Sequence, residues 1–411
     1  MRRDVPHVGG ILRLFALRKH GYVYASRAAA ANDSDTFSTR LWLPKVVIAR
    51  GDDAARQFYR PGRMSRRTAQ LLPARILQEK GTVPTLEGAA HRERKALFTS
   101  LLGQEDRLRL TQIFEFHWRQ RLPQWSSQAE VDVLAEVRQL LCTTACEWAG
   151  VGLDGRPLTR RTNDLALLVD AAGSLNLRLV WARRVRKRTT AWVERAVTTV
   201  RKTPVAATGQ TPLETIARFE SDGERLSSTV AAGEVINLLR PIVAVARYIV
   251  FAAIALHEHP GAAAELKDEQ NLAPFVQEVR RFYPFFPLVA GRVLQPFDWR
   301  GRHFRKGRRF ILDLYGTNHD PDLWEDPHVF RPERFARNDA EFSLIPQGAG
   351  DPRTGHRCAG EQATIDLVKS AVRLLRTSMT YDVPPQDYSV PLNKIPALPR
   401  QRFVITNVQP G

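Results

Sequence analysis

One cysteine stands in a glycine-rich turn directly before a predicted helix, in residues 355–361, GHRCAGE. Backbone N–H groups and the positive end of the helix dipole stabilise a thiolate there, as a metal-binding cysteine requires. The alternative is a buried free cysteine, the usual state of an unpaired Cys. Cys358 is therefore a candidate metal ligand that needs support from other residues.

Two further segments carry ionic groups at helical or turn spacing. Glu278 and Arg281 lie three residues apart, so they share one face of a predicted helix and can pair. Residues 330–335, FRPERF, lie between that helix and the cysteine turn and offer a second arginine. These groups predict a partly buried ionic network, which is costly unless every charge is paired.

An arginine also lies in the most apolar predicted helix, where residues 235–242 read VINLLRPI. Pro241 removes the hydrogen bond to the carbonyl of Asn237 and predicts a kink. The guanidinium of Arg240 requires a carboxylate, which its planar fork binds at two points. A structural ion pair is the alternative, but Glu234 lies about a turn and a half away and is poorly aligned. A substrate carboxylate is the preferred partner.

Hydrophobic spacing and turn residues predict a mainly α chain with small β-sheets. The predicted helices include several between residues 87 and 203, a long one over 228–257, one that ends before Pro284, and a last one that follows Cys358 and ends near Met379. Strands are predicted on both sides of Pro44, within 297–314, and near the C-terminus. No linker divides the 411 residues, so a single domain over 1–411 is expected.

Composition narrows the compartment and the partners. Three cysteines are too few for a disulfide framework, which favours a reducing, cytoplasmic setting. The stretch 241–256 is shorter than a bilayer requires and contains Arg247, so no membrane span is predicted. The net charge of +18 would attract polyanions, but the basic run at 183–188 is typical of a solvated helix. No nucleic-acid-binding module signature is present, and no nucleic-acid partner is expected.

In order and spacing, the Glu278/Arg281 pair, the PERF segment and the cysteine turn resemble the cytochrome P-450 superfamily. The resemblance implies a haem b between the long central helix and the helix after the cysteine turn, with Cys358 as the axial thiolate. His91 and Lys95 resemble the superfamily pair that binds the haem propionates, an exposed helix face being the alternative. Tyr315 and Arg357 are further expected haem contacts.

The central helix departs from most of the superfamily, because residues 235–242 lack the acid and threonine that deliver protons to dioxygen. Arg240-Pro241, with 280–287 (RRFYPFFP) and 314–321 (LYGTNHDP), resembles the fatty-acid peroxygenase branch. That resemblance implies hydrogen peroxide and a long-chain fatty acid as substrates, hydroxylation at the α or β carbon, and no obligatory redox partner. It also implies that the substrate carboxylate, held by Arg240 beside Pro241, moves the peroxide proton.

The expected apolar walls of the substrate pocket are Val169, Ala172, Phe285, Phe286, Leu288 and Val289. Two features depart from the branch: Pro84 replaces a Gln or His, where His is associated with decarboxylation to a terminal alkene, and Arg247 lies on nearly the same helix face as Arg240 and would compete for the carboxylate. The remaining alternatives are decarboxylation, a conventional monooxygenase with a redox partner, and a non-catalytic haem or lipid sensor.

Overall fold

The computed structural model describes residues 13–40, 45–67, 69, 78–153, 155–173, 177–204, 210–336 and 340–411. The chain is mainly helical, as the sequence predicts, and carries a few short sheets. Pro44, around which two strands are predicted, lies outside the described residues, but the strands on either side of it are present.

The helices follow one another along most of the chain. They are α1 Arg13–His20, α2 Tyr24–Ala31, α3 Asp52–Tyr59, α4 Gly88–Leu101, α5 Gln104–Ser126, α6 Val133–Ala149, α7 Leu158–Asp170, α8 Leu177–Lys202, α9 Pro212–Arg218, α10 Ser228–Ala244, α11 Ala246–Glu258, α12 Pro260–Ala264, α13 Leu272–Phe282, α14 Leu314–Asn318 and α15 Glu361–Thr377.

The strands form one five-stranded sheet and three smaller ones. They are β1 Thr36–Arg40, β2 Lys45–Ala49, β3 Met64–Ser65, β4 Val131–Asp132, β5 Glu220–Ser221, β6 Glu224–Arg225, β7 Leu288–Val293, β8 Phe297–Trp299, β9 Arg302–Phe304, β10 Arg309–Asp313, β11 Met379–Asp382 and β12 Val404–Pro410. The large sheet has the order β1-β2-β10-β7-β3, in which β2 and β10 run parallel and the other neighbours antiparallel. It brings β7 to the cavity described below.

Helices α10 and α11 form the centre of the helical core. Ser227 caps α10 by accepting a hydrogen bond from the N–H of Val230 at 3.2 Å. Gly233 lets another segment approach, because a Cβ there would lie 2.7 Å from the side chain of Thr82. The span Ser228–Glu258 is long and apolar enough to cross a bilayer, but 83% of its most apolar window is buried inside the protein. This degree of burial is typical of a helix in the core of a protein.

Pro241 does not end its helix. Helix α10 continues through Pro241 to Ala244, and a single residue, Val245, separates it from α11. The N–H of Val245 still contacts the carbonyls of Pro241 and Ile242, at 3.2 and 3.1 Å. The predicted kink is therefore a one-residue interruption four positions later. Further along, α13 ends where Tyr283 turns extended before Pro284, as the proline predicts.

Candidate active site

A cavity of about 510 Å³ lies between α4, α10, the segment around β7 and the cysteine turn. Its apolar walls include all six predicted pocket residues, namely Val169, Ala172, Phe285, Phe286, Leu288 and Val289. Pro84, His91, Lys95, Arg240, Pro241, Arg357 and Cys358 also line it. The fold thus brings together residues that lie as much as 274 positions apart in the sequence, from Pro84 to Cys358.

Cys358 lies in the cavity wall, three residues before the first residue of α15. Its N–H donates to the carbonyl of Gln347 at 3.1 Å, and the Gln347 amide lies 3.7 Å from its sulfur. Burial, then the charge of Glu361, raises the pKa of Cys358, while the Gly360 N–H and Lys95 favour the thiolate. The Cys358 sulfur is half-buried and has hydrogen-bond donors beside it, but its raised pKa disfavours the free thiolate. A bound metal cation would stabilise the thiolate at this position.

Basic side chains, of which His91 is neutral at neutral pH, gather on the same side of the cavity. The ring of His91 lies 4.1 Å from that of His356, and burial, then the charges of His356 and Lys95, lowers the pKa of His91 to about 4. Lys95 donates to the carbonyl of Arg357, and burial lowers the pKa of Lys95. The buried Nε of Arg66 has no hydrogen-bond partner among the described residues. Such a cluster fits a haem, because its two propionates would accept hydrogen bonds from these donors and pair with the charges of Lys95 and Arg66.

Glu87 holds this cationic wall in place. Its carboxylate accepts hydrogen bonds from the Ser65 hydroxyl and from the N–H groups of Arg66 and Arg67, at 2.6–2.9 Å. Burial alone would raise the pKa of Glu87, but the bond from His356 and the three donors lower it to about 2. The carboxylate therefore ties β3 to the start of α4, and it lies 3.9 Å from the ring of His356 in the cysteine turn.

The guanidinium of Arg240 opens into the cavity from α10. It donates to the side-chain oxygen of Asn237 at 3.2 Å. Burial, then the charge of Arg186, lowers the pKa of Arg240 to about 10, so the side chain remains charged at neutral pH. Among the described residues that line the cavity there is no Asp or Glu.

Glu234, the acid nearest to Arg240 on the same helix, is already paired. Its carboxylate lies 2.6 Å from Arg94 on α4 and also accepts from the N–H of Val83 at 2.9 Å. The amide of Asn237 donates to Glu234 at 3.1 Å and thus bridges the buried ion pair and Arg240. Glu234, which the sequence places in poor alignment with Arg240, is thus paired with Arg94, and the Asn237 side chain lies between it and Arg240.

Arg247 does not line the cavity. It lies at the start of α11, is 2% exposed, and pairs with Asp170 at 2.5 Å. Arg138 and Arg178 reach the same carboxylate at 3.0 and 3.4 Å. The expectation that Arg247 competes for the substrate carboxylate is wrong, because α7 supplies an acid that the helix spacing alone does not reveal.

The predicted ionic network is present behind the cysteine turn. Arg281 pairs with Glu278 at 2.7 Å, and both side chains are fully buried. Arg334 of the PERF segment lies 3.3 Å from the same carboxylate, which also accepts from the N–H of Arg331. Because every charge has a partner, the network holds α13 against the segment before the cysteine.

The two further expected haem contacts, Arg357 and Tyr315, lie in different surroundings. Arg357 lines the cavity, but its guanidinium pairs with Glu361 at 2.6 Å, which fixes the cysteine turn to α15. Tyr315 lies outside the cavity lining. Its ring packs against Tyr22 at 5.3 Å and His319 at 4.1 Å, because α14 turns it toward the N-terminal segment. The structure does not support Tyr315 as a cofactor contact.

The polar lining residues that were missed from the sequence include Arg66, Gln78, Asn237, Gln347 and His356. The first two follow no helical pattern, and His356 stands inside the cysteine turn, where its proximity to Cys358 was an available signal. The side-chain oxygen of Gln78 is buried and has no hydrogen-bond partner among the described residues.

The sequence matches the family model for Cytochrome P450 over residues 264–371. Similar curated proteins include Cytochrome P450 4A7 of Oryctolagus cuniculus, 32% identical over 120 residues, and Salutaridine synthase of Papaver somniferum, 31% identical over 134 residues. These matches cover 28% and 30% of this chain, and they span 22% and 25% of those relatives.

Solved structures match the chain almost completely. Cytochrome P450SP alpha (CYP152B1) in complex with (R)-ibuprophen is 40% identical, with a TM-score of 0.93 over 97% of this chain and 99% of that one. Cytochrome P450EX alpha (CYP152N1) with myristic acid is 33% identical, with a TM-score of 0.95 over 100% of both chains. A variant of cytochrome P450 OleT in complex with arachidonic acid is 31% identical, with a TM-score of 0.95 over 100% and 99%.

Proposed function

The chain belongs to the cytochrome P450 family, among its CYP152 members, and from that premise we propose that it hydroxylates long-chain fatty acids at the α or β carbon with hydrogen peroxide. As a P450 it is an oxidoreductase that holds haem b through a cysteine thiolate, Cys358. Bound haem supplies an iron centre that inserts an oxygen atom from the peroxide into a C–H bond.

The observation that carries the proposal is the charge of the cavity. Arg240 is charged and opens into a space whose described lining has no carboxylate, and Glu234 is neutralised by Arg94. A charged guanidinium that faces a cavity whose described lining has no carboxylate favours an anionic ligand. A fatty acid supplies one carboxylate and an apolar chain that suits the walls around Phe285 and Val169. The solved complexes of related P450s with myristic and arachidonic acid support this substrate class.

In this proposal Arg240 binds the substrate, and the substrate carboxylate transfers the proton. Arg240 binds the carboxylate, and Asn237 orients the guanidinium through its bond at 3.2 Å. The bound carboxylate then accepts the peroxide proton and returns it, since the described residues of the cavity wall include no Asp or Glu. Because the carboxylate is fixed, only the adjacent carbons reach the site of oxidation. The apolar walls exclude water and align the chain.

Pro84 lines this part of the cavity, and its side chain can neither donate nor accept a hydrogen bond. Decarboxylation in the family is associated with histidine at this position, so the proline favours hydroxylation as the main outcome. A terminal alkene as the main product would contradict this assignment.

The decisive experiment incubates the purified holoprotein with myristic acid and hydrogen peroxide and identifies the products by mass spectrometry. We expect 2- or 3-hydroxymyristic acid without any reductase, and negligible product from methyl myristate, which lacks the acid–base group. Turnover that requires NAD(P)H and redox proteins would assign the chain to the conventional monooxygenases. Tight binding of myristic acid without product would indicate a sensor.

A further inference from the structure

The first turn of α8 exposes three large apolar side chains to solvent. Leu177 is 85% exposed, Val180 52% and Trp181 50%. Their spacing of three and four residues places them on one face of the helix, opposite the buried face that includes Leu179 and Ala182. A cluster of exposed apolar residues on a globular protein marks a contact surface more often than an isolated one does.

A band of exposed cations follows the apolar turn. Arg183, Arg184 and Lys187 lie in the next two turns, and all three are exposed. The first turn of α8 carries no acidic residue, so its positive dipole end adds to this field. The helix is thus apolar at its tip and basic immediately behind it.

This surface lies beside the wall of the cavity. Arg178, in the first turn of α8, lies 3.4 Å from Asp170, the last residue of α7. The adjacent Val169 and nearby Ala172 line the cavity. The exposed tip of α8 therefore sits at the edge of the substrate pocket rather than on a remote face.

We propose that Leu177, Val180 and Trp181, with Arg183, Arg184 and Lys187, form a docking face for an anionic phospholipid membrane. Apolar side chains at the tip enter the interface between headgroups and acyl chains, while the arginines and the lysine lie at headgroup level. The net charge of +18 strengthens attraction to an anionic surface.

Two other occupants fit less well. A second copy in a two-fold contact would bring the same basic band against itself, which is repulsive. An acidic protein would match the band, but three exposed apolar side chains in a single turn suit a lipid interface. A membrane partner also agrees with the proposed activity, on which this point rests. Long-chain fatty acids partition into bilayers, so docking would place the edge of the pocket next to the substrate.

The test is flotation of the holoprotein with vesicles of phosphatidylglycerol and phosphatidylcholine in a 1:3 ratio, compared with phosphatidylcholine alone. We expect at least tenfold tighter binding to the anionic vesicles. The variant R183E/R184E/K187E should lose this preference, since each basic residue near such a surface contributes about fivefold in affinity. L177S/W181S should weaken binding at least tenfold at constant charge.

Matched controls use exposed residues far along the chain. L108S/F116S removes two apolar side chains that are 57% and 56% exposed on α5, and R305E/K306E reverses two exposed charges in the turn between β9 and β10. Both controls should bind vesicles within about a factor of two of the wild type, after allowance for net charge. If the α8 variants and the control variants lost vesicle binding equally, the net charge of the protein would explain the binding, and the proposal would be overturned.

Two further outcomes would also overturn it. If a second copy of the chain covered this face, the wild type would sediment as a dimer and L177S/W181S as a monomer. An acidic protein would be the partner if the wild type bound an acidic ferredoxin, and if R183E/R184E/K187E lost that binding while its binding to vesicles stayed unchanged. Vesicle binding is measured without turnover, so failure of the proposed peroxygenase activity leaves its result intact.

Discussion

Arg240 and Arg247 are seven residues apart on consecutive helices, yet the structure gives them different surroundings. Arg247 faces Asp170, a carboxylate that it shares with Arg138 and Arg178. Arg240 faces an amide and a cavity without a lining carboxylate among the described residues. The difference shows that an arginine becomes structural or functional according to where the rest of the fold places its acids.

The largest expected effect comes from removing the cavity arginine. Arg240→Ala eliminates a charge-assisted bond of about 1.5–3 kcal/mol and misplaces the acid–base carboxylate, which contributes about 10²–10⁴-fold in rate. We expect kcat/KM for myristic acid with peroxide to fall about 1,000-fold, with kcat falling more than binding. Arg240→Lys keeps the charge but not the fork and should recover part of the binding. Full activity of Arg240→Ala would remove the contrast with Arg247.

The second prediction makes the Arg240 region resemble the Arg247 region. Asn237→Asp places a protein carboxylate in the position from which the native side-chain oxygen accepts at 3.2 Å. This carboxylate should compete with the substrate and weaken myristic acid binding by about 100-fold, roughly the strength of a buried charged hydrogen bond. It should also support peroxide oxidation of a molecule without a carboxylate. Asn237→Leu, which lacks both amide and acid, is the matched control and should not gain this activity.

The third prediction concerns the structural partner. Arg247→Met keeps the volume of the side chain but removes one of three cations around Asp170, and the other two remain. The free energy of unfolding should fall by about 1–3 kcal/mol, measured by chemical denaturation. Turnover of the folded variant should stay within about threefold of the wild type. A loss of activity without loss of stability would show that Arg247, too, serves the substrate.

Pro241→Ala should have the smallest effect. The proline lies inside α10 and the interruption falls at Val245, so alanine restores one N–H without moving the helix end. Stability should change by about 1 kcal/mol or less, and kcat/KM for myristic acid by only a few-fold. A drop comparable to that of Arg240→Ala would give Pro241 a direct role in orienting the guanidinium.

The parts of the fold that follow local rules were predictable. Hydrophobic spacing gave the helices, Pro284 gave the end of α13, and the Glu278 and Arg281 pair formed as their spacing indicated. The position of the interruption after Pro241 was not predictable, because Val245 differs from its neighbours in no local property.

The site divides in the same way. Residues marked by short motifs, such as Cys358 and Arg240, lie in the cavity as expected. Tyr315 and Arg247 do not line it, because their positions depend on packing against Tyr22 and on an ion pair with Asp170. Both partners are more than 70 positions away in the sequence, and a single sequence contains no signal for such contacts.

The absence of an acid from the described cavity lining has a protective consequence. On the proposed function, the substrate itself brings the group that handles the peroxide proton. With no fatty acid bound, peroxide that diffuses in meets no carboxylate on the described lining to relay its proton. On this proposal, peroxide is thus activated chiefly when a fatty acid is bound and can be oxidised. The safeguard lies in the composition of the wall and needs no moving lid.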